Sequence, residues 1–436
     1  MVKTDTGDAG LPDMREYRQR IIEGAAEDCL RKSGMVLIEG IRHCGKTGTA
    51  GKFCRSGILL DDPSRNFRNR MLAGMDPSLA LEGEMPRLVD EWQEAPGILC
   101  AAAASGALHG RGGRFIFTGS SAAPEKDELH VSGDEVTCLR MRTMTLYETG
   151  DSDGSVSLKS IFDGTFTGHM GDTVSLPRLA QIIVRGGWPE CIGLPGDNAS
   201  ELPLQYLRDI LGRAETGRDG IRRDRAKMLA LLRALARNES GTASDRALRR
   251  DVLIHDSVSV SNPTVLSYQD VFRRLFLTDD QPAFSNNVRP SVRQRQMAKR
   301  HLADPSLACA LLGIGASGLV NDLSTMGSMF EALCEHDLRV YAESSGGRLY
   351  HYQDYQEKRI DAVIEMNDGR WGAFDIRLGA KQIDDAAGSL ISLRKNIAKN
   401  AHGRVPEFLC VICGLSGAAY VRPDGVFVIP ITSLRP

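Results

Sequence analysis

Three groups of side chains in this 436-residue sequence have the types and spacing to do chemistry. The first lies in Gly40-Ile41-Arg42-His43-Cys44-Gly45-Lys46-Thr47, a G-x-x-x-x-G-K-T pattern entered by an apolar run and left by a segment long enough for a helix. Glycines at such positions let backbone N–H groups turn toward phosphate oxygens. A lysine then meets the terminal phosphates, and a threonine hydroxyl can ligate magnesium. Gly40, Cys44, Gly45, Lys46, Thr47 and Gly48 are therefore the expected contacts to ATP, with Thr47 on the metal. Gly48 and Gly51 interrupt the helix that should follow, at ~1 kcal/mol each relative to alanine, which a helix anchored by packing tolerates.

The second group is the acid pair ending "RLVDEW". Asp90 would hold the magnesium through water, and Glu91 would polarise the attacking water. Thr118, at the end of "FIFTGSS", would sense the γ-phosphate, because a polar residue ending the neighbouring strand points at the same crevice. The third group is Glu331, Asp361 and the triplet Asp375-Ile376-Arg377. Restriction-type nucleases gather magnesium with carboxylates from an early helix and two strands, and a lysine two residues past the last acid activates water. Here Arg377 stands in that place; a guanidinium stays charged and cannot become a base, so the expectation is a degenerate nuclease-like site.

These groups need elements to position them. "MVLIEG" (35–40), "GILLDD" (57–62), "PRLVDEWQ" (86–93) and "GRFIFTGSS" (113–121) read as strands separated by helical or loop stretches, the pattern of a parallel sheet with helices on its faces. The stretch 151–172, rich in Gly, Ser and Asp, reads as a surface loop. Helical patterns follow at 176–185 and 200–214, then three more helices with the outline of a winged helix-turn-helix. From about residue 326 the order is helix, hairpin, strand, helix and two strands, the outline of a restriction-endonuclease-like fold. The expected fold class is α/β: a P-loop domain with a helical extension over 1–215, a winged-helix segment over 216–282, a linker over 283–325 and a nuclease-like domain over 326–436.

Composition narrows the partners. A net charge of −2 confines any nucleic-acid contact to a local patch. Arg218, Arg222, Arg223, Arg225, Arg246, Arg249 and Arg250 are candidates for phosphate contact, but Asp219, Asp224, Asp245 and Asp251 are interleaved with them, so a solvated face competes evenly. Ten cysteines without regular spacing suit reduced, buried thiols, and Cys410-x-x-Cys413 sits in a strand-like apolar run rather than a metal site. No run approaches a membrane span and the N-terminus lacks an apolar signal core, so the expectation is a cytoplasmic protein with no membrane partner.

Taken in order, "LIEG", "CGKT", "LVDEWQEAP", "FIFTGSS", "LRMRTMTLYETG", "RGGWPE", "DPSLACALLG", "FEALCEHDLRVY" and "DGRWGAFDIRLG" span nearly the whole chain. On these motifs it resembles the prokaryotic AAA-type ATPase family that joins an AAA domain to a C-terminal domain of unassigned function. The resemblance implies a P-loop ATPase core using ATP and Mg2+, a winged-helix segment, a nuclease-like module and, as among AAA proteins, a homo-oligomer. One departure stands out: Asp134 and Glu135 replace the arginine that relatives often carry before the "LRMR" segment. Without that finger, hydrolysis is expected to be slow or stimulated by a partner. The expected function is a Mg-dependent ATPase whose nucleotide state controls a DNA- or protein-binding C-terminal half. A non-hydrolysing switch or adaptor and a Mg-dependent nuclease are the alternatives.

Overall fold

The apolar run Met35–Glu39 (β1) sits inside a parallel five-stranded sheet with Ser56–Leu59 (β2), Arg87–Asp90 (β3), Phe115–Gly119 (β4) and Val136–Arg140 (β5), in the order β2-β3-β4-β1-β5. Met35 to Ile38, Leu88, Val89, Ile116 and Phe117 are fully buried, as unbroken apolar strands must be when helices cover both faces. One face packs Met35, Leu37, Val89, Phe115 and Phe117 against Ile98 and Leu99 of the helix Gly97–Ala104. The strand expectations over 35–40, 57–62, 86–93 and 113–121 match this sheet, with β5 added at the edge.

This computed structural model describes residues 11–12, 17–105, 113–122, 136–194, 196–215, 222–285, 297–353, 359–399 and 404–436. Asp134, Glu135, Arg218 and Asp219 lie outside them. The chain forms two compact units, Met1–Arg142 with Arg274–Phe276, and Thr143–Arg273 with Leu277–Pro436. The break falls at Arg142, whereas the sequence suggested 215.

In the second unit the helices Leu176–Arg185, Gly196–Glu215, Arg225–Arg237, Asp245–His255 and Asn262–Arg274 precede Pro305–Leu312, Ala316–Asn321 and Leu323–Ser344. Isolated bridges pair Thr278 with Leu302 and Gln281 with Lys299, so a short antiparallel pair follows the three middle helices. A mixed seven-stranded sheet closes the chain. It is built from His169–Met170 (β7), Gly347–Gln353 (β8), Arg359–Met366 (β9), Trp371–Arg377 (β10), Phe408–Cys413 (β11), Ala418–Val421 (β12) and Phe427–Pro430 (β13), in the order β7-β12-β13-β11-β10-β9-β8. Val156–Ser157 (β6) pairs separately with Leu434–Arg435 (β14).

Two stretches differ from their sequence reading. Residues 151–172 are stitched to the C-terminal sheet: β7 pairs with β12, Phe162 and Phe166 pack edge-on against Phe408 and Phe427, and the Ser152 and Ser157 hydroxyls donate to the carbonyls of Leu434 and Pro436. The aromatics inside a Gly/Ser/Asp-rich run were the signal. Within 283–325, read as a linker, Leu307, Ala308 and Cys309 are 0–1% exposed, and Trp188 donates its indole N–H to Ser306 Oγ at 2.9 Å. Asp304 caps this helix, Pro305 opens it and Gly313, at φ 67°, closes it, so its start and stop were written in the sequence.

Candidate functional site

All five strands of the first sheet run the same way, and β1 lies beside β4, at the point where the strand order reverses. Side chains from the carboxyl ends there share a crevice. Gly40 follows β1, and a Cβ at Gly40 would stand 2.1 Å from the Met141 carbonyl oxygen, so close backbone approach demands glycine. Gly45 has φ 99°, open only to glycine at low strain, and caps the helix Lys46–Gly51. That helix has six residues and closes at Gly51, with Gly48 inside it. Tyr17 lies against Gly48, and its hydroxyl donates to Glu23 (2.7 Å) or Thr49 (3.2 Å). Arg20 donates to the carbonyls of Cys44 (2.7 Å) and Arg142 (2.8 Å), pinning the loop from behind. Cys44 is buried with its Sγ toward the Met141 carbonyl, so only its backbone can face a ligand.

Lys46, Thr47, Asp90, Glu91 and Thr118, proposed from sequence, come together here. Lys46 Nζ donates to the Ile41 carbonyl at 3.0 Å, folded back over the loop. The Thr47 hydroxyl donates to Asp90 Oδ1 at 2.7 Å, and the Thr118 hydroxyl donates to the same oxygen at 2.5 Å. Thr118 Oγ1 also accepts the Glu91 N–H at 3.1 Å. Burial, reinforced by the Glu91 charge, raises the Asp90 pKa to about 6 despite the two hydroxyls and Lys46. Burial pushes Glu91 up as well, but Lys46, Ser120, Arg42 and Gln93 outweigh it and hold this carboxylate below its ordinary range. Glu91 sits at φ 56°, ψ 52°, a left-handed conformation that costs a non-glycine residue about 1–3 kcal/mol.

Sequence reasoning missed the groups that hold Glu91. Ser120 and the Gln93 amide both donate to Oε2, and the Arg42 guanidinium lies 3.9 Å from it while bonding Asp61 at 2.6 Å. Ser120 and Gln93 stand two residues beyond Thr118 and Glu91, so their signal was only proximity to the motifs. Among the described residues no three or more His, Cys, Asp or Glu side chains are grouped to hold a metal. Thr47 and Asp90 nevertheless offer adjacent oxygen donors of the kind magnesium takes when phosphates and water complete its shell.

The nuclease-like residues also converge, in the second unit. Glu331 lies on the helix Leu323–Ser344, Asp361 on β9, and Asp375 and Arg377 on β10. Arg377 pairs with Asp375 at 2.8 Å and reaches Asp361 at 3.8 Å, while Asp361 Oδ2 accepts the Ile376 N–H at 2.9 Å. Between the carboxylates sits Lys299, which the sequence did not suggest because it lies in the stretch read as linker. Its ammonium pairs with Glu331 and with Glu335 (2.5 Å) and lies 3.4 Å from the Asp361 carbonyl. Burial opposes the charge, but Glu335, Glu331 and Asp361 hold Lys299 above its ordinary range. Burial, with Asp361 and Glu335 nearby, raises Glu331 to about 8 against the pull of Lys299. Burial and the Asp361 charge bring Asp375 to about 7. His301 extends the network between Glu239 (3.0 Å) and Glu335 (3.2 Å). An amine thus stands where two carboxylates of the set would otherwise face a cation.

Two domain families of unknown function match the chain: DUF8612 over residues 176–318 and DUF4143 over residues 326–434. No curated protein is significantly similar in sequence. Among the solved structures similar to the chain are three archaeal proteins. The Walker-type ATPase PABY2304 of Pyrococcus abyssi is 14% identical, with 70% of this chain and 99% of that one covered and a TM-score of 0.43. Cdc6p from Pyrobaculum aerophilum is 12% identical over 70% and 98% of the two chains, with a TM-score of 0.22. The STAND protein PH0952 from Pyrococcus horikoshii, with its tetratricopeptide repeat sensor, is 11% identical over 76% of this chain and 49% of its own length, with a TM-score of 0.20. At TM-scores below 0.5 none of these likenesses carries an inference about activity, which must come from the side chains.

Asp90 is harder to ionise folded than unfolded, so its contribution to stability is present at low pH and lost as pH rises through about 6. Asp90→Asn should therefore raise the unfolding free energy of the protein at pH 7.5 by on the order of 3 kcal/mol for a shift of about two units, with a higher melting temperature, and the gap should close below about pH 4. Calorimetry across that range checks it; a variant less stable than wild type at pH 7.5 contradicts the assignment. Lys299→Met should cost about 3–5 kcal/mol at pH 8 by leaving Glu331 and Glu335 without their cation, and less at pH 5.5, where protonation relieves them. Urea denaturation reads both values, and a loss independent of pH would mean that the ammonium only fills space.

Proposed function

We propose that the chain is an ATP-binding, magnesium-dependent ATPase of AAA type whose nucleotide state governs DNA or protein binding by the second unit. The observation that carries the catalytic half is the shared hydrogen bonding of Thr47 and Thr118 to one oxygen of Asp90, beside Lys46 and Glu91. Phosphates entering the loop draw Lys46 away from the Ile41 carbonyl, and the first helical turn presents N–H groups to the same oxygens. Thr47 and Asp90 would hold magnesium, which supplies charge neutralisation across the phosphates. Glu91, kept ionised, polarises the attacking water once it is released from Ser120 and Gln93. Thr118, bonded to Asp90 and to the Glu91 backbone, reports the γ-phosphate to both acids.

The grip of Ser120 and Gln93 on a strained Glu91 favours slow turnover and keeps the non-hydrolysing switch as the second reading. For the C-terminal residues Glu331, Asp361, Asp375 and Arg377, the placement of Lys299 supports a structural role over metal-dependent cleavage.

For the DNA-binding part, the charge geometry supports the phosphate-contact reading over the solvated face. Asp245 pairs with Arg300 at 3.0 Å, and Asp251 and Asp256 both pair with Arg237, at 2.5 and 2.6 Å. Arg246, Arg249 and Arg250 stay exposed on the helix Asp245–His255. Three helices followed by a short antiparallel pair suit the winged-helix reading, with this face toward phosphates. Arg274–Phe276, at the end of the third helix, belong to the first unit, where Ala122, just past β4, donates its N–H to the Arg274 carbonyl at 2.8 Å and Arg140 stacks on Phe276.

Lys46→Ala should abolish ATP binding in calorimetry, and unchanged affinity would sink the nucleotide reading. Glu91→Gln should bind ATP normally and drop phosphate release to background; if wild type is already at background, the switch reading replaces the enzyme. Reversing Arg246, Arg249 and Arg250 to Glu should weaken duplex binding and flatten the plot of log K against log salt by about 2.7, the value for three lost phosphate contacts. An unchanged slope places the nucleic-acid contact elsewhere.

A further inference from the structure

The helices Gly196–Glu215 and Arg225–Arg237 both pack on Pro305–Leu312 but touch each other little. Their separation leaves a groove of about 520 Å³, floored by leucines and walled by arginines, that the nucleotide and nucleic-acid readings do not use. Leu207 and Leu211 on one wall and Leu311 at the base are buried, while Leu204 and Leu229 are partly exposed. Arg225, Leu229, Arg233 and Arg237 recur every four residues along one helix, and Arg208 faces them from the other, so basic and apolar groups alternate along the trough. Among the described residues no acidic side chain lines it. Arg233 and Arg237 are paired with Asp256, but Arg208 and Arg225 are exposed and have no ion-pair partner among the described residues.

We propose that this groove docks an acidic amphipathic helix of a partner protein, its leucine-like side chains seated on Leu204, Leu211 and Leu229 and its carboxylates meeting Arg208 and Arg225. The chemistry favours that occupant. A nucleic-acid backbone satisfies arginines but leaves a leucine floor wet, whereas an apolar helix lacking acids leaves the arginines desolvated and unpaired. The walling helix from Arg225 to Arg237 is about 18 Å long, which matches roughly three turns of a bound helix with apolar anchors at i, i+3, i+4 and i+7.

The test uses the full chain and a labelled peptide of about 16 residues, with leucine at the anchor positions and glutamate elsewhere, read by fluorescence anisotropy. Controls are a scrambled peptide of identical composition, a version with lysine for glutamate, a DNA duplex and dodecanoate as competitors. The expected result is saturable binding of the acidic helix alone, weakened roughly tenfold or more by Arg208→Glu with Arg225→Glu and independently by Leu229→Asp. Circular dichroism and ATP affinity of the variants serve as folding controls, so loss of the nucleotide reading and loss of this one are separate results. Equal binding of the scrambled or lysine peptide, indifference to the substitutions, or no saturation overturns the proposal. Displacement by the duplex assigns the groove to nucleic acid instead, and displacement by dodecanoate with no helix dependence assigns it to a small amphiphile; both also overturn it.

Discussion

One oxygen atom organises the first unit. Asp90 Oδ1 accepts from Thr47 on the loop after β1 and from Thr118 on β4, while Asp90 itself ends β3. Three strand ends are therefore joined at a single buried point. The joint can form only because β4 lies between β3 and β1 in the sheet. Placing a carboxylate there carries the desolvation that raises its pKa to about 6, so the fold holds an acid more poorly solvated than stability alone would select. On the proposed nucleotide reading, a cation shared with phosphates would relieve that burden, so the atom that weakens the free state would strengthen the bound one.

The second unit treats buried charge in the opposite way. Lys299 and His301 are set among Glu239, Glu331 and Glu335, and Arg377 answers Asp375 and Asp361, so each of these carboxylates has a cationic partner. Such a network adds little net stability compared with apolar packing, yet breaking one member is costly, so it specifies which surfaces meet. Lys299 and His301 come from the short pair after the third helix, Glu331 and Glu335 from the long helix, and Asp361 from β9. The cluster thereby ties together elements far apart in sequence that no apolar periodicity would register.

What the sequence made legible follows the same division. Local chemistry was readable: the glycine pattern with its lysine and threonine, the acids ending an apolar strand, and the helix–hairpin–strand order after residue 326 are all properties of short windows. The six-residue length of the loop helix, the insertion of 151–172 at the edge of a sheet more than two hundred residues away, and the arrival of Lys299 among Glu331 and Glu335 are not. Each depends on tertiary neighbours. The stretch 297–313 was misread although its caps were present, because a polar, arginine-rich lead hid a helix whose apolar content lies entirely in "LACALL". Ser120 and Gln93 lay beside recognised motifs, but only the left-handed turn at Glu91 brings them onto its carboxylate.

The interleaved arginines and aspartates show how far composition can mislead where geometry separates. Along the chain from 217 to 256 ten Lys and Arg outnumber six Asp and Glu, but their interleaving does not say which of them face solvent. In the fold, Asp245, Asp251 and Asp256 turn inward to Arg237 and Arg300, cations drawn from other segments, and leave Arg246, Arg249 and Arg250 outward. The same sorting on the next face leaves Arg208 and Arg225 over a leucine floor. A chain with almost no net charge thus carries two separate positive faces, one polar and one amphipathic. Faces that differ in apolar content select different anionic partners, because arginine alone attracts any polyanion, whereas a partly exposed leucine floor favours a partner that can cover it.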